Sequence, residues 1–204
     1  MRLAMVIDLD KCTACQACTI ACCVENNLPK GIERTRVYPV GPRGKYPNIS
    51  MQLIPIGCMQ CDNPPCVKVC PVKATYKRED GIVVQDNKKC MGCKYCMTAC
   101  PYEARSFNKY KPFTAEYDKL PEFINPDVDL RPRNTIDKCN FCQHRIDKGI
   151  YEPACIRACA SNARYLGDLN DPNSEVNKLI TGKHARPLLP EKNTKPKVFY
   201  VWDK

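Results

Sequence analysis

The stretch Cys90-Met-Gly-Cys93-Lys-Tyr-Cys96-Met-Thr-Ala-Cys100-Pro101 restricts what this chain can fold into more than any other. Three thiolates at three-residue steps suit three corners of one iron–sulfur cubane. A fourth, four residues on and followed by proline, points to a neighbouring cubane, so the motif predicts [4Fe–4S] clusters in pairs. Soft thiolates suit this chemistry, and simpler metals do not require the crossed arrangement.

The chain has 17 cysteines in 204 residues, a density found in disulfide scaffolds and in metal proteins. A disulfide framework would spread them between distant elements. Here they form four tight groups: Cys12, Cys15, Cys18 and Cys22; Cys58, Cys61, Cys66 and Cys70; Cys90, Cys93, Cys96 and Cys100; and Cys139, Cys142, Cys155 and Cys159. Cys23 is left over and would face away from Cys22 on a helix, as a partly buried thiol and not a ligand. By crossover, Cys58, Cys61, Cys66 and Cys100 are expected to hold one cubane, and Cys90, Cys93, Cys96 and Cys70 another. Alone, the fourth group with its long gap could belong to a zinc ribbon. Cys22, however, needs a cluster to reach. The exchange therefore puts Cys12, Cys15, Cys18 and Cys159 on one cubane and Cys139, Cys142, Cys155 and Cys22 on the other. Groups two and three end in Cys-Pro, whereas Cys22 precedes Cys23 and Cys159 precedes Ala160, so the outer pairing has less to support it.

The formal charge of +10 would suit an acidic partner such as nucleic acid or a membrane surface. Four cubanes with their thiolates carry about −2 apiece, which brings the total to roughly +2 and removes that argument. Lys11, Lys89 and Lys138 each precede the first cysteine of a group, as solvated charges or as tuners of potential. The first ten residues are too short and too acidic for a signal peptide. No apolar run reaches the length of a bilayer span.

Along the chain, Leu3, Met5, Ile7 and Leu9 alternate as a half-buried strand leading to the first group, and a helix is expected over residues 18–25. Residues 31–46 look irregular. Ile49, Met51 and Leu53 read as a second strand, and Thr75 to Val84 as a hairpin turning at Asp80-Gly81. Residues 109–133 form a long loop with Pro112, Pro121, Pro126 and Pro132 between Phe113, Tyr117 and Phe123, expected to lie against a partner or to be a structural tether. Residues 164–169 read as a strand, residues 172–180 as a helix capped by Asp171 or Asn173, and residues 195–204 as a final strand. The expected fold is α+β, with two ferredoxin-like two-cluster units related by pseudo-two-fold symmetry. Residues 49–108 form the inner unit and residues 1–48 with 134–170 the outer one. The loop 109–133 follows the inner unit, and residues 171–204 add a terminal helix and strand.

The order of the four groups and the phrases between them resemble the four-cluster electron-transfer subunit of the dimethyl sulfoxide reductase family of molybdenum and tungsten enzymes. The phrases are Ala4-Met-Val-Ile-Asp8, Asn63-Pro-Pro-Cys-Val67, Cys139-Asn-Phe-Cys-Gln-His-Arg145 and Gly167-Asp-Leu-Asn-Asp-Pro172. The short subunits serving polysulfide, thiosulfate and arsenate reductases are the nearest in form. The hairpin phrase Tyr76 to Val84 also resembles the small subunit of pyrogallol transhydroxylase. The resemblance implies a large catalytic partner with a bis-pterin cofactor, in many cases a quinol-oxidising membrane anchor, and export on the partner's twin-arginine signal. A periplasmic location is expected on that ground, with the cytoplasm as the alternative. The nitrate reductases of this family replace one ligand of the third group by tryptophan; all the cysteines are present here, so four [4Fe–4S] clusters are expected. His144 and His184 are left without a ligand role.

A cubane with four thiolates is coordinatively closed, and nothing in the sequence forms a nucleophile–base pair or a phosphate cradle. The expected role is therefore electron transfer, not catalysis, between a quinone pool or redox carrier and the catalytic partner. The alternatives are the same wire serving a hydrogenase, a formate dehydrogenase or a hydroxyl-transferring enzyme, and, more remotely, a zinc-stabilised binding module.

Overall fold

The structure is a computed structural model and describes residues 1–110 and 122–202. A four-stranded sheet in the order β8-β1-β10-β9 joins the two ends of the chain. Strand β1 (Leu3–Asp8) runs parallel to β10 (Val198–Val201) and antiparallel to β8 (Arg164–Asp168), while β9 (Arg186–Pro187) edges β10. The alternation in β1 suggests one wet face, yet all six of its residues are buried. Leu3, Met5 and Ile7 face the cysteine core with Met59, Phe141 and Tyr200. Ala4 and Val6 face Val176 and Leu179 of α6 (Glu175–Gly182), which covers what would otherwise be the solvent side. Small Ala4 and Gly167 let this helix approach; a Cβ on Gly167 would sit 3.1 Å from Val176. The cap of α6 is Ser174, whose hydroxyl accepts from the Asn177 N–H, instead of Asp171 or Asn173, because both of those are engaged in the preceding turn.

Residues 31–46 are more regular than their Arg, Gly and Pro content suggests. Strand β2 (Thr35–Lys45) pairs with β3 (Asn48–Gly57) in a long antiparallel ribbon with a register shift between Val40 and Arg43. Prolines are tolerated there because a two-stranded ribbon has only edge strands. The hairpin after group two has strands β4 (Thr75–Lys77) and β5 (Val83–Gln85), and β6 (Ser106–Phe107) pairs with β7 (Ile136–Asp137).

The remaining helices are short and sit at the cysteines. Helix α1 (Ala17–Glu25) carries Cys18 and Cys22, α2 (Pro65–Lys68) carries Cys66, α3 (Tyr95–Thr98) carries Cys96 and α5 (Ala154–Arg157) carries Cys155; α4 (Gln143–Ile146) follows Cys142. Of the long loop, Pro112, Phe113, Tyr117 and Pro121 lie outside the described residues. Its described end is tethered to the rest of the molecule: Asn27 donates to the carbonyls of Asn125 and Val128 at 2.8 and 2.7 Å. No helix among the described residues is long and apolar enough to cross a membrane.

Candidate functional site

One backbone device recurs in all four groups. The residue before the second cysteine has positive φ: Ala14, Gln60, Gly92 and Phe141, at 55°, 47°, 71° and 56°. A left-handed residue costs a non-glycine side chain about 1–2 kcal/mol and persists only where the surroundings hold it. Here it bends each loop so that successive sulfurs converge. At Gly92 the approach is closest, since a Cβ would lie 2.1 Å from the Asn134 carbonyl oxygen.

One small apolar cavity is lined by Cys58, Cys61, Cys66 and Cys100 together with Pro64, Tyr102 and Arg105. A second is lined by Cys70, Cys90, Cys93 and Cys96 with Ala74 and Ile136. In each, three cysteines come from one group and the fourth from the other. The outer sulfurs converge by different contacts. Asn26 Nδ2 lies 3.6 Å from Cys22 Sγ and 3.9 Å from Cys142 Sγ, so residues 22 and 142 face one another across a single amide. Cys139 and Cys155 act electrostatically on the same Cys22 sulfur. Arg164 Nη2 donates to Cys18 Sγ at 3.3 Å and also faces Cys155 and Cys159. Cys12 and Cys15 lie in the loop that leads into α1, Cys12 partly buried and Cys15 exposed.

Backbone amides aim at the sulfurs: Thr75 at Cys70 and Ile136 at Cys90, both 3.5 Å, Phe141 at Cys139, 3.4 Å, and Ala163 at Cys159, 3.3 Å. Burial, and then the neighbouring Cys58, pushes the Cys61 thiol up to about 12. Burial raises Cys155 to about 12 and Cys139 to about 11, and it raises Cys22 as well. Such sulfurs are ligands only when a cation replaces their protons. Soft sulfurs grouped in fours, buried or half-buried apart from the exposed Cys15 and Cys93, with amide donors directed at several of them and guanidinium groups close by, fit an anionic, thiolate-bound iron–sulfur group.

The charges around the sulfurs are the part that spacing alone missed. Lys11 and Lys89 are exposed, but Lys138 is 2% exposed, and its Nζ donates to the carbonyls of Val83 and Cys139. Gln60 makes a parallel stitch, donating to the Cys139 carbonyl at 2.7 Å and accepting from the Val83 N–H at 2.8 Å. Arg34 is buried, forms a fork with both oxygens of Asp137 at 2.9 Å, and reaches Asn26 and Asn140. The signal for Lys138 was its place before a cysteine; for Arg34 nothing in the local sequence marks it. Cys23 is partly buried with Sγ 3.7 Å from the Ile32 carbonyl oxygen, and His144 Nε2 meets Glu25 Oε1 at 2.8 Å.

Residues 49–116 match the family model described as a 4Fe-4S dicluster domain. The chain is similar to the iron–sulfur subunit of arsenate respiratory reductase of Shewanella sp., 41% identical over 98% of this chain and 96% of that protein. It is also similar to a subunit of the tetrathionate reductase of Salmonella typhimurium, 44% identical over 98% of this chain and 72% of that one. One subunit of the polysulfide reductase of Wolinella succinogenes is 39% identical over 100% of this chain and 95% of its own length.

Proposed function

The protein belongs to the family of iron–sulfur electron-transfer subunits of the arsenate, tetrathionate and polysulfide reductases, and from that premise we propose that it is a four-cluster wire for a molybdenum or tungsten catalytic partner. The ligand sets proposed are Cys12, Cys15, Cys18 and Cys159 for cluster A; Cys58, Cys61, Cys66 and Cys100 for B; Cys90, Cys93, Cys96 and Cys70 for C; and Cys139, Cys142, Cys155 and Cys22 for D. The observation that carries the proposal is the pair of cavities, each lined by three cysteines of one group and the fourth of another. For A and D the support is the approach of Cys22 to Cys142 across Asn26 and of Cys18 to Arg164.

Bound clusters supply one-electron transfer without binding substrate. Electrostatic neighbours across the proposed sets are Cys155 with Cys18, Cys139 with Cys58, and Cys96 with Cys66. On the proposed ligand sets these neighbours support the order A–D–B–C for the wire. The residues of this chain hold and insulate the clusters, and chemistry on substrate belongs to the partner. The inner and outer sets form the two pseudo-symmetric units expected over residues 49–108 and over 1–48 with 134–170. A quinol-oxidising anchor and a periplasmic location complete the reading.

The test is anaerobic purification of the intact complex from its own cell. Mass spectrometry should identify a large molybdopterin-type subunit, and one molybdenum or tungsten should accompany this chain. Added quinol should bleach the iron–sulfur absorption and the partner's acceptor should restore it. A hydrogenase-type subunit with neither metal would overturn the choice of partner.

A further inference from the structure

Arg105 and Arg164 occupy equivalent places in the cysteine pattern. Each stands five residues after the closing cysteine of its group and follows an alanine: Cys100-Pro-Tyr-Glu-Ala-Arg105 and Cys159-Ala-Ser-Asn-Ala-Arg164. Arg105 immediately precedes β6 and Arg164 opens β8. They are 4% and 6% exposed.

Their surroundings differ from those of the third buried arginine near the sulfurs. Arg34 is balanced by Asp137. Arg105 Nη1 reaches only neutral oxygens, Thr75 Oγ1 at 3.3 Å and Gln85 Oε1 at 3.1 Å, and its buried Nη2 has no hydrogen-bond partner among the described residues. Arg105 also lines the cavity of Cys58, Cys61, Cys66 and Cys100. Arg164 points its two terminal nitrogens at sulfurs, Cys18 Sγ at 3.3 Å and Met5 Sδ at 3.9 Å. A buried cation without a counter-charge is unfavourable by several kcal/mol. Burial works against the charge in both cases, and sulfurs hold it: Cys66, Cys96 and Cys58 for Arg105, and Cys155, Cys18 and Cys159 for Arg164. In the proposed assignment each set takes sulfurs from two clusters, B and C for Arg105, A and D for Arg164.

We propose that Arg105 and Arg164 are the electrostatic junctions of the wire, each placing one uncompensated positive charge between two clusters and raising the reduction potential of both. Each cluster gains one electron on reduction, and a fixed cation at sulfur distance in a medium of low dielectric favours the form carrying that extra negative charge. They act through the clusters and not on substrate, so they are positioning residues. The inference rests on the four-cluster reading above, which iron content tests separately.

The experiment is a mediated redox titration, followed by electron paramagnetic resonance, of the purified complex and of its Arg105→Gln and Arg164→Gln variants at full iron content. Arg105→Gln should raise the oxidised-to-reduced ratio of two clusters about tenfold at fixed potential, equivalent to about 59 mV downward for a one-electron couple. Arg164→Gln should do the same to the other two, so the affected pairs must not overlap. Arg105→Lys and Arg164→Lys keep the charge and should return the ratios toward the unsubstituted values. Potentials that stay in place, or four that move together in both variants, would overturn the proposal. If a Gln variant does not retain iron, the Met variant at the same position, equally neutral and of similar length, decides: retained iron with the same two potentials displaced downward supports the junction, and retained iron with none displaced, or loss of iron, overturns it. Failure of the four-cluster reading would be seen instead in the unsubstituted complex, as fewer than four signals.

Discussion

The inner and outer pairs of cysteine groups reach similar ends by different routes. The inner pair lies within residues 58–100, with a tight hairpin between its groups and Cys-Pro at both ends. Its sulfurs line two cavities formed largely by local turns. The outer pair joins residues 12–22 to residues 139–159 across the whole inner segment. Packing of α1 against α5 brings these parts together, with the buried Arg34–Asp137 pair and Asn26 between them. Local geometry suffices for the first pair; the second depends on a few long-range polar contacts. The outer clusters should therefore be the easier to lose.

Arg34→Met should have the largest effect. It leaves Asp137 as a buried carboxylate, 3% exposed, with the more distant Arg131 at 3.6 Å as its remaining ion-pair partner among the described residues. Breaking such a pair costs about 3–5 kcal/mol. Iron per chain should fall toward half, with the outer clusters lost first; loss of the inner clusters instead would break the comparison. Gly92→Ala should come next, through a Cβ 2.1 Å from the Asn134 carbonyl oxygen at a φ of +71°. A cost of about 2–3 kcal/mol is expected from strain and displacement, read as a lower denaturation midpoint with depletion of the inner cluster proposed for Cys90 and Cys93. Gln60→Ala removes the stitch between the Cys139 carbonyl and the Val83 N–H. It should cost about 1–3 kcal/mol, and thermal unfolding should separate into two steps as the units decouple. Cys23→Ser should change stability by no more than about 0.5 kcal/mol and leave iron content intact. A lost cluster there would show that the leftover thiol is a ligand.

Much of this architecture was legible because its information is local. A cysteine spacing is set by the loop that wraps a cluster, and the hairpin at Asp80-Gly81 is marked by its turn residues. Of the ribbon, β3 was legible in the alternation of Ile49, Met51 and Leu53, but β2 and its pairing were not, because glycines and prolines there disguise a pairing made with a neighbouring strand. The second face of β1 was missed since α6 lies far along the sequence. Arg34 and Asp137 look like surface residues until the chain closes around them. The repeat of Ala-Arg five residues after Cys100 and Cys159 was present in the sequence, but its meaning required the burial, and the absence of a paired carboxylate among the described residues, to be seen.

The most direct measurement is iron, acid-labile sulfide and zinc per chain on the intact complex, corrected for metal on the partner. Four [4Fe–4S] clusters in this chain predict about sixteen irons and about sixteen sulfides, with no zinc. About eight irons with zinc retained would contradict the account: it would leave the inner pair as the only wire and make the outer cysteines a structural zinc site.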